Sequence, residues 1–390
     1  MKVTAVRHHP LLLSPQPPNP TTNRHHQLWV YPIKALRGIP LQHAKLGPQG
    51  IKYDRTFIIC RVRDDGSLEK LQMAGYPQCA LFRQEIVNGD TIHVRYLTPD
   101  EPLVPRRPEH DAVLEVPLEP ETDSLDRADV NVHQSMVRAY HMGPKYDAWF
   151  SACFGFDAAL LYIGDQRRPV LGTFSPKAAQ QQQQQQQQEQ SQKGGWLSSI
   201  TSYVAGSSPN GSSPSDEPDW ITFSDTSPYL IATETSLANV RRRLASGEVD
   251  MVKFRPNIVL DGEGEWDEDF WSELSLRGTR ALVLSKMCGR CCSLNVDYDT
   301  GRTAEGEAGT VLKKLMSDRR VDTGHKYSPV FGRYGFLADE LARGEAVAAE
   351  GGVDIAVGDE VAVTKRSEER PVWDWPMRDN DAARFYPQRA

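Results

Sequence analysis

Three of the chain's six cysteines, Cys288, Cys291 and Cys292, fall within five positions at the head of the stretch CGRCCSLNVDYDTG. The C-x-x-C spacing of Cys288 and Cys291 admits three chemistries: a zinc site, a redox dithiol, or a thiolate ligand to a softer metal. A structural zinc site takes four protein ligands, and no second C-x-x-C and no H-x₃₋₅-H pair is present to complete one. A thioredoxin-type dithiol opens a helix just after a strand, whereas the residues beyond Cys292 read as strand and turn. A single thiolate on a high-valent metal fits better, with Arg290 beside Cys291 to help keep the sulfur deprotonated. The same three residues also fit a strand of small buried hydrophobes. Spacing leaves both readings open.

The elements that must carry such a site come from a chain of 390 residues, enough for two ordinary domains, each with its own core. The formal charge of −7 gives no bulk attraction to nucleic acid or anionic lipid, so any anion must be held locally. Six unevenly spaced cysteines do not make a secreted disulfide framework, which favours a reducing compartment. The first residues hold one apolar run, Leu11 to Leu13, too short for a signal peptide or a membrane helix. The expectation is a soluble protein with no transmembrane segment, cytoplasmic or mitochondrion-associated, with a flexible start over residues 1–27.

LWVYPIK, from Leu28 to Lys34, reads as a short strand ending at a proline, and Tyr53 to Arg63 as another, followed by a turn at Asp64-Asp65-Gly66. Asn88-Gly89-Asp90 before TIHVRYL repeats that pattern. Helical spacing then appears in DAWFSACF, and AALLYIG returns to strand. Residues 175–218, with glutamines from Gln180 to Gln188 and a Ser/Gly/Pro-rich continuation, read as a disordered polyglutamine insert. Inside it, GWLSSITSYVAG could be a short amphipathic element or a loosely packed turn. Thr233 to Gly247 has a hydroxyl at the start, Leu237, Val240 and Leu244 on one face and a terminating glycine, all marks of a helix. FRPNIVL and ALVLSKM read as strands, GTVLKKLMSDRR as a helix, and VDIAVGDEVAV as strand alternation about a Gly-Asp turn. Residues 365–390 read as an extended surface tail.

LWVYPIK, Asp54-Arg55, SDTSPYLIATETSLANV, FRPNIVL, CGRCCSLNVDYDTG, SPVFGRYG and VGDEV follow one another in an order that resembles the MOSC-domain proteins. The eukaryotic branch that includes the mitochondrial amidoxime-reducing component is nearest in pattern. The resemblance runs from about Leu28 to Val363 and implies a mixed α+β, β-rich fold. Its parts are a MOSC N-terminal β-barrel domain at 28–174, a small α/β section, the insert, and a C-terminal MOSC β-barrel with peripheral helices at 219–364.

The family resemblance also implies a molybdenum cofactor, a molybdopterin whose dithiolene holds the metal while one cysteine completes the coordination. Aligned on R-C-x-x-x-x-V-D-x-D-T-G, that ligand, metal-binding and catalytic, is Cys291, and Cys292 is a bystander. The pterin phosphate needs fixed cations and donors. Lys34, Arg55 and Arg255 stand at the family's positions for it, with Asp225, Thr226 and Ser227 as polar contacts, Asn257 for the pterin edge, and Arg290 and Tyr334 toward the metal. Taken singly, each has an ordinary use: strand-end charge, turn former, loop brace or core aromatic. Ala35 stands where the nearest relatives carry a hydroxyl, which removes one phosphate contact.

The implied activity is reduction of N-hydroxylated compounds such as amidoximes, hydroxylamines and N-hydroxylated bases. No flavin, nicotinamide or iron–sulfur fingerprint occurs, so electrons come from a separate protein, in similar systems cytochrome b5 with its reductase. The alternative is a non-catalytic cofactor carrier or persulfide-transfer module. Pyridoxal phosphate binding is an association of the wider family, and the chain has no room for the domain that does it.

Overall fold

The computed structural model describes residues 22–193, 218–262, 264–342 and 352–376. Strand exceeds helix, 35% against 22%, as the β-rich expectation requires. The Phe57–Val62 strand carries Phe57, Ile58, Ile59 and Cys60 fully buried, a β-branched and aromatic run suited to burial on both faces. It pairs antiparallel with Ala158–Tyr162 on one side and, across the Asp64–Gly66 turn, with Leu68–Lys70 on the other. Arg127–Val132 and Ser135–His141 extend this sheet to five strands, which curl into a nearly closed N-terminal barrel.

A second sheet of three strands, Phe82–Val87, Thr91–Tyr96 and Leu114–Pro117, turns at Asn88-Gly89, where φ values of 55° and 78° suit the asparagine–glycine pair of a tight hairpin. The Pro144–Phe154 helix begins on a proline and ends on left-handed Gly155. Phe150 and Phe154 pack on Phe82, with ring centroids 5.8 and 4.6 Å away.

The C-terminal sheet runs in the order Ile258–Leu260, Tyr229–Thr233, Val330–Leu337, Thr279–Gly289, Trp271–Leu276, Glu360–Arg366, Thr22–Val30, with Ile39–Leu41 added beside Thr22–Val30. Its ends meet because Thr22–Val30 pairs with both Glu360–Arg366 and Ile258–Leu260. The chain is thus in a strand from Thr22, six positions before Leu28, and that strand completes the C-terminal sheet. Thr233 caps the Glu234–Arg242 helix by accepting from the Ser236 N–H at 3.2 Å. That helix stops before Gly247, and the chain continues in turns through buried Leu244.

Three local expectations change. Val353–Ala356 and Glu360–Arg366 do not pair with each other; the first joins His43–Gly47 and the second the large sheet. The glutamine run lies in a helix, Pro176–Lys193, for which glutamine is a good former; GWLSSITSYVAG lies outside the described residues. The tail beyond Thr364 is not wholly at the surface, since Trp375 is only 3% exposed. Among the described residues no helix is long and apolar enough to cross a membrane.

Candidate functional site

The ten residues singled out from sequence, Lys34, Arg55, Asp225, Thr226, Ser227, Arg255, Asn257, Arg290, Cys291 and Tyr334, all line one cavity of about 170 Å³. Nine reach it from loops at the ends of strands, and Tyr334 from within the Val330–Leu337 strand. Five lining residues, Ala35, Arg55, His133, Gln134 and Arg255, hold φ at 72°, 51°, 55°, 70° and 55°. For side chains with a Cβ this left-handed backbone is uncommon and costs energy, as is frequent where a loop is shaped for a ligand.

Cations dominate one part of the lining. The guanidinium carbons of Arg55 and Arg255 lie 4.6 and 4.4 Å from the ring centre of buried Tyr31. Asp54 holds Arg55 and also accepts from the Tyr31 N–H at 2.8 Å, while Arg255 donates to the Leu36 carbonyl at 2.7 Å. Lys34 is buried and ion-paired to Asp225, whose side chain is 53% exposed toward the cavity. Burial lowers the Lys34 ammonium to about 8, against the pull of Asp225. Partial desolvation works to raise the Asp225 carboxyl, but Lys34 and His133 more than offset it and hold that group well below the usual carboxylate range.

The thiols separate by environment. Cys288, 3% exposed, receives an Arg290 N–H at 2.9 Å and lies 3.1 Å from the Tyr334 hydroxyl. Arg290 thus donates its hydrogen bond to Cys288, while its charge also acts on Cys291. Burial raises the Cys288 thiol, and burial likewise raises Tyr334 well above its ordinary value. Cys291 is half-buried and lines the cavity, its sulfur 3.2 Å from the Ser293 hydroxyl. Cys292 points elsewhere, toward the Ala74 carbonyl at 3.4 Å, and burial pushes it up to about 11.

Comparison with known proteins decides the family. The MOSC N-terminal beta barrel domain matches residues 23–157 and the MOSC domain residues 218–362. The chain belongs to the MOSC-domain proteins. Over 322 residues it is 26% identical to mitochondrial amidoxime-reducing component 1 of Homo sapiens, covering 79% of this chain and 77% of that protein. It is 25% identical over 315 residues to mitochondrial amidoxime reducing component 2 of Bos taurus, covering 79% and 77%. Molybdenum cofactor sulfurase of Homo sapiens matches at 24% over 305 residues, 75% of this chain but 28% of that protein.

The donor set of this MOSC chain fits an anionic, sulfur-ligated group. Thr226 Oγ1 and Ser224 Oγ are buried without a hydrogen-bond partner among the described residues, and both residues line the cavity. Unpaired buried hydroxyls are costly unless a ligand completes them. Among the described residues no three His, Cys, Asp or Glu side chains cluster to hold a metal. A metal on Cys291 would accordingly draw its other ligands from a non-protein group.

Two of the expected contacts also have structural duties. Asn257 accepts from the Leu230 N–H at 3.2 Å and from Arg55 at 3.3 Å and donates to the Trp29 carbonyl at 3.3 Å, which occupies most of its capacity. The Ser227 hydroxyl donates to the Gly335 carbonyl at 2.6 Å and accepts from the Gly335 N–H at 3.0 Å, tying its loop to the Val330–Leu337 strand.

Sequence reasoning missed Arg168, His133, His325, Trp373 and Trp375. Arg168, fully buried, donates to the carbonyls of Thr222 at 2.8 Å, Val132 at 3.1 Å and Asp225 at 3.1 Å, and also to Ser224. It clamps the Ser224–Ser227 loop from behind. No motif marks it. The Trp-Asp-Trp triplet at 373–375 was a visible signal, an apolar pair inside a charged tail.

Proposed function

We propose that this MOSC-domain protein is a molybdenum-cofactor-dependent oxidoreductase that reduces N-hydroxylated compounds with electrons from a separate redox protein of the cytochrome b5 kind. The observation that carries the reading is the half-buried Cys291 sulfur in the same cavity as four cations, Lys34, Arg55, Arg255 and Arg290, and two hydroxyls unpartnered among the described residues. The relatives named amidoxime-reducing components support the substrate class.

In this reading Lys34, Arg55 and Arg255 neutralise the terminal phosphate, and Thr226 and Ser224 donate to its oxygens. Arg168 keeps that loop in place by holding four of its neighbouring carbonyls. Cys291 is the protein ligand, while Arg290 and Tyr334 fix Cys288 beside it. When bound, the cofactor supplies the two-electron chemistry. The overall conversion breaks the N–O bond: R–C(NH₂)=N–OH, two electrons and two protons give the amidine and water. The protein donor provides the electrons and solvent the protons.

The match to a molybdenum cofactor sulfurase favours a second reading, a cofactor carrier or persulfide-transfer module acting through the same cysteine. Protein from a host that makes the cofactor, assayed with benzamidoxime and a reduced cytochrome b5 system, separates the two. Turnover that vanishes in Cys291→Ala supports the reductase. Metal-loaded protein that transfers cofactor or persulfide but never reduces the substrate overturns it.

A further inference from the structure

The C-terminal segment Pro371–Pro376 lies beyond both family-matched spans, 23–157 and 218–362, and so does Phe174. Yet Trp373, Trp375 and Pro376 line the same cavity as Cys291. The segment is seated by specific contacts. Asp374 accepts from the Thr173 N–H at 2.8 Å and faces Lys286 at 3.4 Å, Lys286 also donates to the Val372 carbonyl at 2.6 Å, and the Trp373 N–H donates to Asp322 at 3.0 Å. Trp375 Nε1 donates to the His133 carbonyl at 2.6 Å. Two glycines give it room: a Cβ on Gly324 would fall 2.0 Å from the Trp373 carbonyl oxygen, and one on Gly172, already at φ 61°, 2.7 Å from that of Asp374.

The strap brings rings to the thiol-bearing side. Trp373 and Trp375 meet Phe174 edge-on, at 4.8 and 5.2 Å, and Trp373 also lies 4.9 Å from the His325 ring and 6.4 Å from Tyr334. Tyr334 in turn contacts Cys288, and the His325 ring packs where a side chain on Gly289 would have to go. The Trp373 indole N–H is buried with no partner among the described residues. The cavity therefore combines a cationic lining suited to an anion with an aromatic lining beside the thiols, and the second comes largely from segments outside the matched domains.

We infer that Trp373 and Trp375 are specificity-determining residues, forming an aromatic wall that selects planar aromatic amidoximes and their amidine products over small aliphatic ones. Ring faces stack on planar π systems and attract a planar amidinium cation, while a methyl-sized substituent gains little from them. The inference rests on the proposed reductase reading for its substrate class.

The test separates the two. Calorimetry on the purified full-length chain compares benzamidine with acetamidine, in wild type, Trp373→Ala, Trp375→Ala and Trp373→Phe, with Trp220→Leu, outside the cavity, as control. Stacking is worth roughly a tenfold preference, so the wild type and Trp220→Leu bind benzamidine about ten times more tightly than acetamidine. That ratio collapses in the two alanine variants and is largely kept in Trp373→Phe. Variants that unfold are recognised by their melting curves, and the Phe variant then decides by retaining or losing the ratio. Equal wild-type affinities, or a preference that survives both alanine variants, overturn the wall. If the ratio behaves as expected but metal-loaded protein reduces no N-hydroxylated substrate, the reductase reading fails while the wall stands.

Discussion

Replacing Arg168 by methionine removes a buried guanidinium that holds four carbonyls, those of Val132, Thr222, Ser224 and Asp225, while leaving the site filled by a side chain of similar length. Each such bond contributes on the order of 1 kcal/mol net, more when the donor is charged. The opposing effect is burial, which lowers the Arg168 pKa to about 9 and so marks a cost that the substitution relieves. The balance is a loss of about 3 kcal/mol, or roughly 6 °C in Tm at about 2 °C per kcal/mol for a chain of this size. Because three of the carbonyls, those of Thr222, Ser224 and Asp225, lie in or beside the loop that presents Thr226 and Ser224, the variant also loses molybdenum on gel filtration faster than wild type. Arg168→Lys, with one ammonium and shorter reach, falls between. Scanning calorimetry and metal analysis read both effects. A Tm within a degree of wild type and full metal retention would refute the idea that this arginine holds the loop.

Glu268 is fully buried, and burial raises its carboxyl from the ordinary 4.5 to about 7. The folded state then binds more protons than the unfolded between those values, so stability falls as pH rises through that window; Glu268→Gln is more stable than wild type by about 2–3 kcal/mol at pH 8 and no more stable at pH 4.5, read by urea unfolding. Lys34, lowered by burial to about 8, loses its charge as pH rises through that value, so cofactor uptake by apo-protein weakens above pH 8 and Lys34→Arg removes the decline. Gly324→Ala displaces the Trp373 backbone, and hydrogen exchange in 371–376 rises by at least about tenfold if a seated strap is lost.

Much of the site was legible because its residues are tied to short stretches whose types cannot be exchanged freely. Of these only Cys291, in its cysteine cluster beside an arginine, carried a local mark; Lys34 and Arg255 were placed by the family resemblance, and all three line the cavity. What stayed hidden acts across distance. Arg168 reads as one arginine among many until the fold brings Val132 and Thr222 to it, 36 and 54 positions away. Arg290 is adjacent to Cys291 in sequence, but its guanidinium donates to Cys288, two positions back. Strand pairing was likewise opaque: VDIAVGDEVAV has the pattern of a hairpin, and only the large sheet's need for a partner between Trp271–Leu276 and Thr22–Val30 assigns its second half elsewhere. The barrels themselves were expected from the family resemblance rather than from the periodicity of any one strand.

The central claim is that Cys291 is the protein ligand of a molybdenum cofactor. It is tested most directly by molybdenum and pterin analysis, with X-ray absorption at the metal edge, of wild type and Cys291→Ser from a host that makes the cofactor. The account predicts stoichiometric molybdenum in the wild type with a cysteine-sulfur signature that the variant lacks, whether or not the pterin is retained. Wild-type protein free of molybdenum under those conditions, or a variant whose metal keeps the same sulfur signature, would contradict it.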